Sequence, residues 1–249
     1  MLITARTNPQ VKRWRALAQD SRARRQANLV WLEGEHLFRA AQQAAWVIET
    51  LISVDLPLAA PCTALQQAQV SPGVMAALSQ LDSPSNCAAL VRMPAALPIS
   101  LITTDALILD GLQDPGNLGT ILRCAWAFGW RRVLLTPGSA SAWSLKALRA
   151  GQGAQFFMQI DEAVLPEAIA SLLRVPLLAT SLQAASALPN VDLRGPQAWV
   201  FGHEGQGVSP QLLALADTRV LIPMPGMAES LNVAAACAVC LYEAMRQRR

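Results

Sequence analysis

Apolar positions follow two different rhythms along the chain. Over residues 1–92, short apolar runs alternate with amphipathic stretches. Asn8-Pro9 followed by QVKRWRALAQD predicts a capped helix, because Asn is a good N-cap and proline fits the first helical position. The runs 29–34 (LVWLEG), 46–52 (WVIETLI) and 88–93 (AALVRM) predict strands, and EHLFRAAQQA with the stretches near 63–69 and 73–80 predicts helices. This is a small α/β unit. Residues 93–104 (MPAALPISLITT) carry two prolines and no charge, and read as a linker. From Asp105 the pattern becomes strand–helix alternation, with strands expected at 106–111, 132–136, 154–160, 176–180, 198–202 and 219–223. Helices are expected at 118–128, 144–150, 164–174 and 230–247. Unbroken apolar strands of this length suit a parallel sheet buried on both faces.

Composition narrows the class. The 249 residues are 53% hydrophobic and 15% charged, enough apolar content for a sizeable core in one large or two small domains and too much for a disordered chain. The 14 Gly, 16 Pro and 5 Cys show neither a collagen repeat nor the density of a disulfide scaffold. The longest uncharged stretch, Leu56 to Leu81, is broken by Pro57, Pro61 and Pro72 and does not suit a bilayer. No apolar segment follows the first charges, so no secretory signal is expected. With an odd cysteine count, this predicts a reducing, cytoplasmic location.

Charge changes the picture more than its total of +3 suggests. The first 39 residues carry a net +5 and the remaining 210 a net −2. Eighteen of the 20 basic residues are Arg, whose planar fork suits phosphate. Arg22, Arg24 and Arg25 lie in this basic arm, which is either an electrostatic footprint for nucleic acid or a solvated helix face.

Three of the predicted strands run into turns rich in Gly or Pro that carry a carboxylate. ALILD leads into GLQDPGNLGTILR, AWVFG into HEGQGVSP, and RVLIP into MPGMAESLNVAAA. Ligands of open α/β sheets bind outside the carboxyl ends of strands, so the three turns together suggest one composite pocket. No G-x-G-x-x-G follows a strand, which argues against a nucleotide-cofactor oxidoreductase. A G-x-x-x-x-G-K-[ST] loop and H-E-x-x-H are also missing, and with only His36 and His203 no histidine metal site is expected. Cys237 and Cys240 form a C-x-x-C inside an apolar helical pattern and read as core.

Individual residues keep two readings at this level. Asn117 suits the cap of helix 118–128, Glu204 a solvated loop, and Ser230 the cap of the last helix with Asn232 in its first turn. Arg123 stands on an otherwise apolar helix and needs either a carboxylate partner such as Asp110 or a ligand.

The segments LDGLQDPGNLGTILRCAWAFG (109–129), VFGHEGQGVS (200–209) and IPMPGMAESLNVAAACAVCLYEA (222–244) resemble the three ordered motifs of the SpoU (TrmH) family of RNA ribose 2′-O-methyltransferases. The stretch 148–160 also fits. NPQVKRWRAL and WLEGEHLFRAA are similar to an L30e/L7Ae-like substrate-binding domain. The resemblance implies an α/β fold: a C-terminal α/β-knot methyltransferase domain with a deep trefoil knot and a mostly parallel sheet, preceded by a small L30e-like domain. The corresponding boundaries are 1–92, a linker at 93–104, and 105–249. It implies S-adenosylmethionine as cofactor, RNA as substrate (ribosomal RNA ahead of transfer RNA), a homodimer, and no metal or membrane. An RNA-binding member without catalysis, acting in ribosome assembly, is the alternative; intact motif residues argue against it. By motif position, Asn117, Arg123, Glu204, Ser230 and Asn232 surround the reaction centre. Thr180, Gly202, Ile222, Met224 and Leu231 match cofactor positions. The chain departs from the family pattern at His203, where Asn is usual, and at Gly151, where Ser is usual.

Overall fold

A computed structural model describes residues 2–55, 63–95 and 98–249. Residues 96 and 97 of the expected linker lie outside the described residues, as does Cys62. The chain divides into two compact units, Met1–Ala96 and Leu97–Arg249.

The first unit runs β1 (Leu2–Ile3), α1 (Pro9–Gln19), α2 (Ser21–Ala27), β2 (Leu29–Glu33), α3 (Glu35–Gln43), β3 (Ile48–Ser53), β4 (Gln66–Val70), α4 (Pro72–Leu78) and β5 (Cys87–Arg92). Asn8 caps α1 by accepting from the Gln10 N–H at 2.9 Å, with Pro9 at the first position as the sequence predicts. Val11, Trp14, Leu17 and Ala18 fall on one face of α1 and pack with Trp31, Ile52, Leu90 and Leu78. The five strands lie in the order β1-β4-β3-β5-β2, parallel at β1/β4 and β3/β4 and antiparallel at β3/β5 and β2/β5. The stretch near 63–69 is not a helix. Gln and Ala favour helix locally, but pairing with β3 and β1 on either side makes this segment β4.

The second unit runs β6 (Ala106–Asp110), α5 (Pro115–Ala127), β7 (Arg132–Leu135), α6 (Leu145–Gly151), β8 (Gln159–Asp161), α7 (Pro166–Leu172), β9 (Leu177–Thr180), β10 (Ser186–Ala187), β11 (Ala198–Gly202), α8 (Pro210–Leu215), β12 (Thr218–Leu221) and α9 (Val233–Gln247). Its seven strands are ordered β10-β12-β9-β11-β6-β7-β8, and every pairing is parallel. The strand period of two splits the apolar residues between two cores. Leu107, Leu109, Trp199 and Phe201 meet α5 and α9 on one face. Ala106, Ile108, Ala198 and Val200 meet α7 and α8 on the other. Cys237 and Cys240 are fully buried in the first core and unpaired, which is the helical-core role read from the sequence.

Three expected elements change. The run 154–160 is not one strand: Gln152 and Gly153 adopt left-handed backbone, a short 3₁₀ turn covers Ala154–Phe157, and only Gln159–Asp161 pairs with β7. The buried Gln155 side chain donates to the carbonyls of Ala147 (2.9 Å) and Ala142 (3.3 Å), holding that turn. Helix α5 starts three residues before the expected 118, because Asp114-Pro115 supplies the cap and first helical position. The last helix starts at Val233, with Asn232 as its cap in place of Ser230. Helices α2 and α8 were not expected from the pattern. Among the described residues no helix is long and apolar enough to cross a membrane.

Candidate active site

The site is assembled at the carboxyl ends of the parallel strands. Strand β6 ends in the buried Asp110. One carboxylate oxygen accepts from Thr136 Oγ1 (2.9 Å) and the other from the Ser209 N–H (2.7 Å), while Thr136 Oγ1 also accepts from the Gly111 N–H (2.9 Å). The end of β6, the end of β7 and the segment after β11 are thereby tied together. Asp110 is not the partner of Arg123, which is exposed and makes no hydrogen bond or ion pair among the described residues. Burial does not demand a carboxylate there: Arg123 simply sits on the open face of α5.

Asp114 caps α5 by accepting from the Gly116 N–H at 2.9 Å, and Lys146 Nζ reaches the same carboxylate at 2.6 Å. The lysine and then the backbone N–H hold the Asp114 carboxyl below its usual range. Because Asp114 does the capping, Asn117 is released from that duty. Its Nδ2 donates to Glu204 at 3.1 Å, and its Oδ1 accepts from Asn232 Nδ2 at 3.0 Å. Asn232 spends its own oxygen on the N–H groups of Ala234 and Ala235 as the cap of α9.

Glu204 also accepts from the N–H groups of Gln113 (3.3 Å) and Asp114 (3.2 Å). Burial raises its carboxyl, but the bonds from Asn117 and the backbone outweigh that, and its pKa lies below the usual value. Glu204 is not a free loop residue. One hydrogen-bonded string, Glu204–Asn117–Asn232, joins all three motif segments.

Beside this string a cavity of about 470 Å³ opens at the ends of β9, β11 and β12. Thr180, Gly202, Ile222, Met224 and Leu231 all line it, together with Glu204 and Ser230. Gly202 has a steric reason: a Cβ there would stand 2.1 Å from the Gly207 carbonyl and 2.2 Å from the Val208 nitrogen. Of the cavity-lining residues that follow β12, Met224, Glu229, Ser230 and Leu231 donate no backbone N–H to another backbone group among the described residues. Among the described residues no cluster of three or more His, Cys, Asp or Glu side chains is placed to hold a metal.

Residues 104–242 match the family model described as SpoU rRNA Methylase family, and residues 8–89 match the MRM3-like substrate binding domain. The first of these spans more than half of the chain. The chain belongs to the SpoU rRNA methylase family. Its relatives include the 23S rRNA (guanosine(2553)-2′-O)-methyltransferase RlmP of Bacillus subtilis, 33% identical over 96% of this chain and 97% of that one. The 23S rRNA (guanosine-2′-O-)-methyltransferase RlmB of Bordetella pertussis is 40% identical over 57% of this chain and 60% of its own. The AdoMet-bound rRNA methyltransferase structure from Sinorhizobium meliloti superposes with a TM-score of 0.87 at 28% identity, covering 99% of this chain and 97% of that one.

The SpoU α/β-knot class, preceded by a small α/β binding domain, is thus the fold of this chain, as the motif resemblance implies. Its departure from the family pattern at His203 has a local explanation. His203 Nδ1 accepts from the N–H groups of Gly205 (2.9 Å) and Gln206 (3.3 Å), a bond pattern that an Asn carbonyl oxygen also makes. At Gly151 a Cβ would fall 2.5 Å from Gln155 Oε1, so this chain exchanges a side chain there for the buried glutamine. Of the three arginines of the basic arm, Arg22 and Arg25 are exposed. Arg24 is half-buried, and its Nη1 donates to the carbonyls of Leu17 and Ala18 at 2.7 Å each. Asp110, Thr136, Asp114 and Lys146 were missed as site-shaping residues. The Asp-Pro pair at 114–115 was a legible signal for one of them; the others depend on contacts 25 to 99 positions apart.

Proposed function

We propose that this chain methylates ribosomal RNA on a ribose 2′-hydroxyl, as a cytoplasmic homodimer, with the reaction centre at the Glu204–Asn117–Asn232 string. The chain is an S-adenosylmethionine-dependent RNA (ribose-2′-O)-methyltransferase. The string carries this reading, because it brings the three motif segments together at the rim of a cavity of the right kind. At about 470 Å³ the cavity falls in the range of cofactor clefts, and it combines apolar walls (Val220, Ile222, Leu213) with those backbone N–H groups and the carboxylates of Glu204 and Glu229. These features fit an adenosine joined to a cationic amino-acid tail. S-Adenosylmethionine supplies a methyl group already activated by its sulfonium, so the reaction calls for no metal.

The chain's own residues position and polarise. Thr180, Gly202, Ile222, Met224 and Leu231 hold the cofactor, and Ser230 stands on the same wall. Arg123 stabilises the alkoxide that develops on the ribose and grips a neighbouring phosphate. A guanidinium keeps its proton near neutral pH, so it serves as a fixed charge and not as the base. Arg123 lies six residues beyond Asn117, about 240° around α5, and so does not share the face of its own string. That placement supports a homodimer in which the arginine serves the partner's site. So do the exposed Val239 (41%) and Tyr242 (52%) on α9, which packs beside α5. The basic, MRM3-like first unit holds the RNA through Arg22 and Arg25, with Arg24 supporting their helix.

Mapping 2′-O-methyl sites in ribosomal RNA from a strain lacking the gene tests the reading, with one site expected to disappear and to return on complementation. Light scattering is expected to give twice the 26.7 kDa chain mass. An unchanged methylation map, or NAD binding in place of S-adenosylmethionine binding in calorimetry, contradicts it.

A further inference from the structure

We propose that Arg131, Trp126 and Phe157 form a stacking platform for an unpaired nucleobase of the RNA substrate. The proposal rests on the RNA-methyltransferase reading above and extends it to substrate recognition. Trp126 stands in the last turn of α5. The Arg131 guanidinium carbon lies 3.5 Å from the centre of its ring, and Phe157 stacks on it with centroids 4.8 Å apart and planes 25° from parallel. Two partners that close must take opposite faces of the indole, so the three side chains make one column with Arg131 at an end.

The guanidinium is fixed as well as stacked. Its Nη1 donates to the carbonyls of Trp126 (2.9 Å) and Trp130 (3.1 Å). Capping those carbonyls accounts for one nitrogen only. Nε and Nη2 have no partner among the described residues, and Arg131 is in no ion pair there although it is exposed. Arg194 and Arg246 are spent on Asp192 and Glu243, whereas Arg123, Arg149, Arg174 and Arg219 are exposed without an ion pair, as Arg131 is; among these unpaired arginines Arg131 alone is stacked on an aromatic ring among the described residues. A rigid, unpaired guanidinium plane backed by an indole is a surface on which RNA bases stack, and its free edge suits a phosphate. Its position agrees: Trp126 is three residues beyond Arg123 on α5, so the platform begins one turn from the residue assigned to the reacting ribose. A flipped or single-stranded neighbour of the target nucleotide is the ligand.

The test uses the full chain and a single-stranded 12-nucleotide RNA carrying 2-aminopurine, whose fluorescence falls when the base stacks. Wild type is expected to quench the probe. Arg131→Gln is expected to bind about tenfold more weakly and to lose the quench. Arg131→Lys, which keeps the charge without the plane, is expected to lose the quench while retaining most of the affinity. It also decides the matter if Arg131→Gln does not fold. Failure of wild type to quench, or equal quenching by wild type and Arg131→Lys, overturns the platform. A fall in melting temperature with quenching intact makes Arg131 a helix cap only and overturns it too. Methyl transfer by wild type is measured separately, so loss of the platform leaves the enzymatic reading standing, and absence of transfer strikes that reading instead.

Discussion

Asn117 and Glu204 stand 87 positions apart and are joined by a hydrogen bond of 3.1 Å. Asn117 can turn both ends of its amide outward only because Asp114 has taken over the cap of α5. The amide then donates to Glu204 and accepts from Asn232, so its orientation is fixed from both sides. A preorganised polar string of this kind loses little on meeting substrate.

Glu204 gives this string a pH dependence with a definite sign. Its folded pKa lies below the ordinary 4.5, so the stability it contributes is present above that value and is lost as pH falls through the lower folded pKa. Glu204→Gln is therefore expected to lower the melting temperature at pH 7, with the gap from wild type closing below pH 4.5. A gap that stays constant down to pH 3 contradicts this role.

Arg123 is exposed and unpaired, which separates its function from stability. Arg123→Ala is expected to change stability by less than about 0.5 kcal/mol. It should bind S-adenosylmethionine normally and lose about 10²–10³ in methyl transfer. Arg123→Lys should lose most of the turnover as well, since lysine lacks the planar fork. Near wild-type transfer by either variant ends the assignment.

Gly202 tests the cofactor wall. An added Cβ would collide with the backbone of Gly207 and Val208, and backbone cannot swing aside as a flexible side chain does. Gly202→Ala is expected to cost roughly 1–3 kcal/mol in stability and to weaken cofactor binding in calorimetry. Unchanged binding would mean that the 203–208 turn does not shape the pocket.

His203 acts as a hydrogen-bond acceptor for its own turn. His203→Asn is expected to preserve melting temperature and cofactor affinity, because an amide oxygen can accept from the same two N–H groups. His203→Leu removes the acceptor from two exposed N–H groups that water then serves, and should cost about 0.5–1.5 kcal/mol. Equal behaviour of the two variants would show that the acceptor is dispensable.

The basic arm divides by exposure. Arg22→Gln combined with Arg25→Gln is expected to weaken RNA binding and to reduce its salt slope by about two, with stability unchanged. Arg24→Gln should instead lower the melting temperature, since Arg24 holds two α1 carbonyls. Salt titrations and melts on the same variants separate the two behaviours.

What the sequence determined by itself was local and periodic. The Asn8-Pro9 cap, the buried strands β6 and β11, and the Cys237/Cys240 core helix follow from side-chain spacing and cap chemistry, which act within a few residues. The three ordered motifs carried the family and pointed to one pocket. Tertiary structure decided everything that depended on a distant partner. Residues 66–70 became a strand because β3 and β1 lay beside them, against their helical composition. Asn117 stopped being a cap and became a junction because Glu204 and Asn232 arrived from two other strand ends. Arg123 needed no carboxylate because the fold leaves its face of α5 open, while Asp110 is buried and bonded to Thr136 and Ser209. Spacing along a chain sets which face a residue occupies; only the folded sheet sets which groups meet across it, and hydrogen bonds act over about 3 Å whatever the separation in sequence.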